Sequence, residues 1–262
     1  MPNLKKVTTK TIRNFKGVKK ITMLTAYDYP MAKIVDAAGC DMILVGDSLG
    51  NVVLGYDDTT HVTMADMLHH TKAVARGANR TLIVADMPFL SCRLGVYEAV
   101  KNAGLMLSEG NATAVKIEGG SDICDVISAI TQAGIPVMGH LGLTPQSINQ
   151  LGGYGIQGKT DEAAEKLIAD ACALEKAGAF SIVLECIPAE LAKKVTESVS
   201  IPTIGIGSGK NCDGQVLVLY DILGLFKDYT PSFVKRYAEL NDTVTNSVSN
   251  YIKDVEEGVF PK

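Results

Sequence analysis

No two of the six cysteines, Cys40, Cys92, Cys124, Cys172, Cys186 and Cys212, form a C-x-x-C pair, so neither a zinc knuckle nor a disulfide framework is indicated. Most lie in apolar periodic stretches, where a free thiol behaves as a small buried hydrophobe; Cys186 stands apart because it follows Glu185 directly. There is no basic cluster, and the net charge of -4 argues against a nucleic-acid or anionic-membrane partner. No apolar run approaches the length of a membrane span. The basic lead-in, Met1 to Lys20, lacks the apolar segment of a secretory signal, so a cytoplasmic protein is expected.

What the chain does have is core material: 47% hydrophobic residues against 21% charged. Its 262 residues suit a single α/β barrel, which needs about 250, and one domain over residues 1–262 is expected. Met42-Ile43-Leu44-Val45 is an uninterrupted apolar run of the kind a parallel strand covered on both faces requires, and it stops at Gly46-Asp47-Ser48. The same grammar of buried strand followed by acid recurs at Leu82 to Asp86, Ala114 to Glu118 and Ser181 to Glu185. Further strands are expected at Ile21–Ala26, Pro136–His140, Ile201–Gly205 and Gln215–Leu219. Helices are expected at about Tyr29–Ala38, with Asp28 as cap, and at Thr63–Arg76, Val96–Glu109, Asp122–Ala133, Asp161–Ala177 and Pro188–Val199, with a helical tail over Ser232–Glu256. Strand and helix thus alternate about eight times without a break in composition, which favours a (β/α)8 TIM barrel over an open sheet. Leu141 to Thr160, rich in Gly, Gln and Asn, is the longest irregular stretch; a loop of that length in a compact domain is usually functional, for example an active-site cover.

Carboxylates delivered to one barrel mouth raise each other's pKa unless a cation compensates them. Oxygen ligands such as Asp47, Asp86 and Glu118 suit magnesium or manganese, whereas zinc would call on a residue such as His140. Lys116, one pleat step from Glu118, shares its face and suits a substrate carboxylate or an enolate oxygen. A metal chelated by an α-keto acid acidifies the neighbouring C–H; Glu185, on another strand, is placed to act as base or proton relay. His140, ending its strand, is a candidate hydrogen-bond partner for substrate, while His61, His69 and His70 are assigned to loop and helix surface.

Six segments carry a resemblance. Leu24-Thr25-Ala26-Tyr27-Asp28-Tyr29, Val45 to Gly50, Val115 to Gly120, Gly139 to Ser147, Leu184 to Pro188 and Cys212 to Val218 closely resemble the 3-methyl-2-oxobutanoate hydroxymethyltransferase family, and the likeness runs on to Glu257-Gly258-Val259-Phe260-Pro261. The resemblance implies a TIM barrel of the phosphoenolpyruvate/pyruvate type that moves a hydroxymethyl group from 5,10-methylenetetrahydrofolate to 3-methyl-2-oxobutanoate, giving 2-dehydropantoate for pantothenate and coenzyme A synthesis. It implies Mg2+, one per subunit, on Asp47, Asp86 and Glu118. Asp47, Ser48, Asp86 and Lys116 become keto-acid contacts, Glu185 the proton acceptor, and the assembly a homo-oligomer, typically a decamer. Gly155 stands where the family often has lysine, and Ser208 where alanine is common. Alternatives are another magnesium-dependent, enolate-forming barrel enzyme such as a C–C lyase, or a barrel kept for binding alone. Gly153-Tyr154-Gly155-Ile156-Gln157-Gly158-Lys159-Thr160 also satisfies G-x-x-x-x-G-K-[ST], but Ser147 to Leu151 is too polar for the strand that must feed a P-loop, so an NTPase is disfavoured.

Overall fold

The computed structural model describes residues 5–227 and 230–261. Eight strands, β1 (Ile21–Thr25), β2 (Met42–Val45), β3 (Leu82–Asp86), β4 (Ala114–Glu118), β5 (Val137–Gly142), β6 (Ser181–Glu185), β7 (Thr203–Ile206) and β8 (Gly214–Leu217), close into a barrel in sequence order. The successive pairings from β1 to β8 are parallel. The expected (β/α)8 architecture is therefore the one observed.

Side chains two apart on a strand share a face, and one such row fills the barrel. Ile21 and Met23, Met42 and Leu44, Leu82 and Val84, Ala114, Met138, Val183, Ile204 and Val216 form a single buried cluster. A helix absent from the sequence-based expectation, Thr9–Phe15, contributes Ile12, which joins Val7 in that cluster. Ile12 has no exposed surface, and truncating such a side chain costs about 2–5 kcal/mol.

The outer helices lie close to their expected positions because their caps are written in the sequence. Asp28 accepts the Met31 N–H at 2.8 Å to start Tyr29–Ala37, and Thr63 with Asp66 forms a capping box at the head of Met64–Gly77. Thr160 caps Asp161–Lys176 through the Ala163 N–H at 3.2 Å. Val96–Ser108, Cys124–Gln132 and Ala189–Ser198 complete the set.

The described residues form two compact units, one ending at Val216 and the other beginning at Leu217. In the second unit the expected Ser232–Glu256 helix starts late, at Leu240. The N–H groups of Tyr237, Leu240 and Asn241 bond the carbonyls of Ile222, Leu223 and Gly224 at 2.7, 2.9 and 3.0 Å, which diverts them from an intrahelical ladder. Leu219–Ile222 is a helical turn, so β8 ends earlier than the expected Leu219. No helix among the described residues is long and apolar enough to cross a membrane.

Candidate active site at the C-terminal end of the barrel

The interior row that is apolar at the bottom of the barrel turns ionisable at the top. Leu82-Val84 continues to Asp86, Ala114 to Lys116 and Glu118, Met138 to His140, and Val183 to Glu185. The parallel register sets Asp86 beside Lys116 and Glu118 beside His140. Asp47 and Ser48 leave β2 after Gly46, where a Cβ would come within 2.7 Å of Ser48 Oγ, so the glycine makes room for the site. Asp47, Asp86, Lys116, Glu118 and His140 are all buried, and Glu185 is the more open acid, its side chain 17% exposed.

These side chains meet. Lys116 Nζ lies 3.1 Å from Asp86 Oδ1 and 3.0 Å from His140 Nδ1. His140 Nε2 is 3.1 Å from Glu185 Oε2, and Nδ1 is 3.4 Å from Glu118 Oε1. The Lys116 contact serves a neutral imidazole whose Nδ1 accepts; a protonated ring finds its partners in the two glutamates. The Asp47 N–H donates to Asp86 Oδ2 at 3.0 Å, and the Tyr27 hydroxyl stands 2.8 Å from Ser48 Oγ.

The electrostatics express an unmet demand for positive charge. Burial first, and then the charges of Asp86 and Glu118, push the Asp47 carboxyl well above the usual carboxylate range. Burial also raises Asp86 in spite of Lys116. For Glu118, burial is outweighed by His140, Lys116 and the Gln146 N–H, and the pKa falls below its ordinary value. Burial and the Lys116 charge oppose protonation of His140, but hydrogen bonds to Glu118 and Glu185 prevail and lift it to about 9. Lys116 is held firmly charged, its burial overcome by Asp86, Glu118 and Asp47.

With all four carboxylates ionised against Lys116 and a protonated His140, the group would carry an excess of two negative charges, which one divalent cation would balance. Asp86 Oδ1 and Glu118 Oε1 are buried, facing Lys116 Nζ at 3.1 Å and His140 Nδ1 at 3.4 Å. Hard oxygen donors with this deficit fit Mg2+ or Mn2+. Among the described residues no three His, Cys, Asp or Glu side chains are already gathered as a metal cage.

Sequence comparison assigns the chain to a family. The family model for ketopantoate hydroxymethyltransferase matches residues 6–262. The chain belongs to the ketopantoate hydroxymethyltransferase family. It is 59% identical over 259 residues to the 3-methyl-2-oxobutanoate hydroxymethyltransferase of Acetivibrio thermocellus, covering 99% of this chain and 92% of that one. To the enzyme of the same name from Enterococcus faecalis it is 58% identical over 243 residues, covering 93% and 88%. Among solved structures, 2,3-dimethylmalate lyase, a PEP mutase/isocitrate lyase superfamily member, superposes with a TM-score of 0.62 at 18% identity, covering 95% of this chain and 88% of that one. Phosphonopyruvate hydrolase in complex with oxalate and Mg++ gives 0.63 at 12% identity, covering 95% and 87%. At those identities the likeness establishes the barrel alone.

For this hydroxymethyltransferase family member, the structure brings together every site residue expected from the sequence: Asp47, Ser48, Asp86, Lys116, Glu118, His140 and Glu185. Residues without a signal in the sequence surround them. His70, assigned to a helix surface, contacts the Tyr27 carbonyl through Nδ1 at 2.7 Å, behind the Tyr27–Ser48 pair. Arg93 reaches from the loop after β3 to the Glu118 carbonyl at 3.0 Å. Gln146 touches both Asp47 and Glu118. Ser208, at the position where alanine is common, donates to the Leu184 carbonyl at 2.8 Å and receives the Ile187 N–H at 3.3 Å, bracing the turn after Glu185. Cys186 in that turn has a left-handed φ of 48°, and burial, with Glu185 beside it, lifts its thiol to about 11, so it is no thiolate at neutral pH.

The expected open stretch after His140 is partly ordered: β5 extends to Gly142, and short helical turns occupy Pro145–Ser147 and Ile148–Leu151. A Cβ on Gly142 would fall 2.2 Å from the Glu185 carbonyl, which with its φ of 92° restricts the position to glycine. The G-x-x-x-x-G-K-[ST] segment follows the helical turn Ile148–Leu151, so the strand that feeds a P-loop is absent there.

Proposed function

We propose that this hydroxymethyltransferase family member transfers a hydroxymethyl group from 5,10-methylenetetrahydrofolate to 3-methyl-2-oxobutanoate, forming 2-dehydropantoate in pantothenate synthesis, with a divalent cation, Mg2+, held by Asp47, Asp86 and Glu118. The observation that carries this reading is the buried group of acids around Lys116 at the barrel mouth, in which carboxylates outnumber the cationic side chains beside them. When bound, the cation supplies Lewis acidity that makes the C–H next to the ketone more acidic. Lys116, fixed in its charged form, meets the keto-acid carboxylate or the developing enolate oxygen, and Ser48, Asp47, Asp86 and His140 complete the pocket. Glu185, the acid with solvent contact, takes the proton from C3, and His140, 3.1 Å away, orients it and shares the charge. The electron pair left on C3 forms the new bond to the methylene carbon. Both bonds from that carbon to the folate nitrogens break, one as the C–C bond forms and the other as water supplies the hydroxyl; the nitrogens take up the proton removed from C3 and one proton from water, and tetrahydrofolate leaves.

The reading includes a cytoplasmic homo-oligomer, a decamer by family likeness, which sedimentation velocity tests. For the chemistry, purified protein is incubated with both substrates and Mg2+ and the product identified by mass spectrometry. Formation of 2-dehydropantoate that stops on chelation and resumes on adding Mg2+ is expected; undiminished turnover in chelator contradicts the cation assignment.

A further inference from the structure

We infer that Gln146 is a positioning residue for the cation: it fixes one oxygen on each of two of the three carboxylates so that their other oxygens face the ion. The inference rests on the cation reading above. In each carboxylate one oxygen is pinned by an N–H. Asp86 Oδ2 accepts from the Asp47 backbone at 3.0 Å, Glu118 Oε2 from the Gln146 backbone at 3.1 Å, and Asp47 Oδ2 from Gln146 Nε2 at 2.7 Å. Gln146 thus provides two of these three donors. The same amide also donates to the Met87 carbonyl at 2.9 Å, beside Asp86, which fixes its own orientation. The pinned oxygens leave Asp86 Oδ1 and Glu118 Oε1 to the Lys116 and His140 side chains, at 3.1 and 3.4 Å.

A neutral amide suits this task. It orients a carboxylate without adding charge, whereas a lysine at the same point would cancel the deficit that draws the ion. Outer partners of this kind set how well first ligands are aimed, and losing one typically costs 10–100-fold in metal affinity. Because Gln146 lies in the turn Pro145–Ser147 after β5, the connection expected to cover the site is tied to the carboxylates themselves.

The test uses Mn2+ alone, its free concentration read by electron paramagnetic resonance, on wild type, Gln146→Met and Gln146→Ala. Methionine keeps the length and apolar stem and removes only the donors, and both variants retain the backbone bond to Glu118. The expected result is Mn2+ binding weakened about 10–100-fold in both, with chelated-protein melting within about 2 °C of wild type for Gln146→Met, because the donor aims ligands rather than holding the barrel together. Affinity of Gln146→Met within twofold of wild type overturns the inference. Wild type that binds Mn2+ no better than Asp47→Asn with Asp86→Asn overturns the cation reading instead.

Discussion

Lys116→Met is the substitution whose consequences the charge arrangement constrains most tightly. The ammonium is buried, 3.1 Å from Asp86, and the methionine replaces its stem while removing the charge. Breaking a buried pair by deleting one partner costs about 3–5 kcal/mol, because the other charge stays behind without water. At roughly 2–4 °C per kcal/mol for a domain of this size, melting should fall by about 6–20 °C. The loss depends on pH with a definite sign. Burial already raises Asp86 above its ordinary value, and without Lys116 it rises further. Below that raised pKa the carboxyl is protonated and does not miss its partner; above it the carboxylate is stranded. The gap between wild type and variant should therefore be small at acidic pH and widen as pH rises. Mg2+ should narrow the gap, because a dication restores the missing charge. Thermal melts in chelator and in Mg2+ across that range provide the assay. A gap under about 2 °C at the alkaline end, or one independent of pH, would refute the claim that Lys116 and Asp86 form a buried charge pair. Calorimetry on Lys116→Ala should show weakened keto-acid binding with metal binding spared.

In chelator, His140 contributes stability that is complete below its ordinary 6.5 and is lost as pH rises through about 9, since the folded state holds that proton more tightly. Denaturant titrations should show that decline and its flattening in His140→Gln; equal slopes in both would remove the assignment. Asp47, raised well above its ordinary value, sets a proton in competition with the cation, so the melting-temperature gain from Mg2+ should grow with pH; a constant gain in wild type would contradict this. Cys186 holds a left-handed conformation immediately after Glu185, which a β-branched side chain resists by about 1–2 kcal/mol. Cys186→Val should lower kcat while Cys186→Gly preserves it, and equal rates would show that the turn does not position Glu185.

The sequence exposed the parts of this molecule that arise from local periodicity. Apolar runs ending in an acid marked β2, β3, β4 and β6, and the two-residue repeat that places Lys116 and Glu118 on one face is the repeat that carries Ala114 into the core. Asp28 announced a helix start because its side-chain oxygen caps a free N–H group. What remained hidden depends on residues distant in the chain. Gln146 reaches Asp47 across 99 positions, and His70 reaches Tyr27 across 43, neither with a periodic signature. The late start of the last long helix has the same origin, since the carbonyls of Ile222, Leu223 and Gly224 capture N–H groups that a helical pattern would have used locally. The match to the P-loop motif is set aside in the sequence because the residues before it are too polar for a strand, and the helical turn there agrees: eight residues can match a pattern whose physical content lies in the strand before it.

The most direct test of the account is exchange at C3 of 3-methyl-2-oxobutanoate in deuterated buffer, followed by proton NMR without any folate, so that only deprotonation is read. Wild type with Mg2+ should replace the C3 proton by deuterium, Asp47→Ala or Asp86→Ala should abolish the exchange, and Glu185→Gln should bind the keto acid yet exchange it about 100- to 10,000-fold more slowly. A wild-type enzyme that leaves the C3 proton in place, or an Asp86→Ala variant that exchanges it at the wild-type rate, would contradict the assignment of enolate chemistry to this cluster.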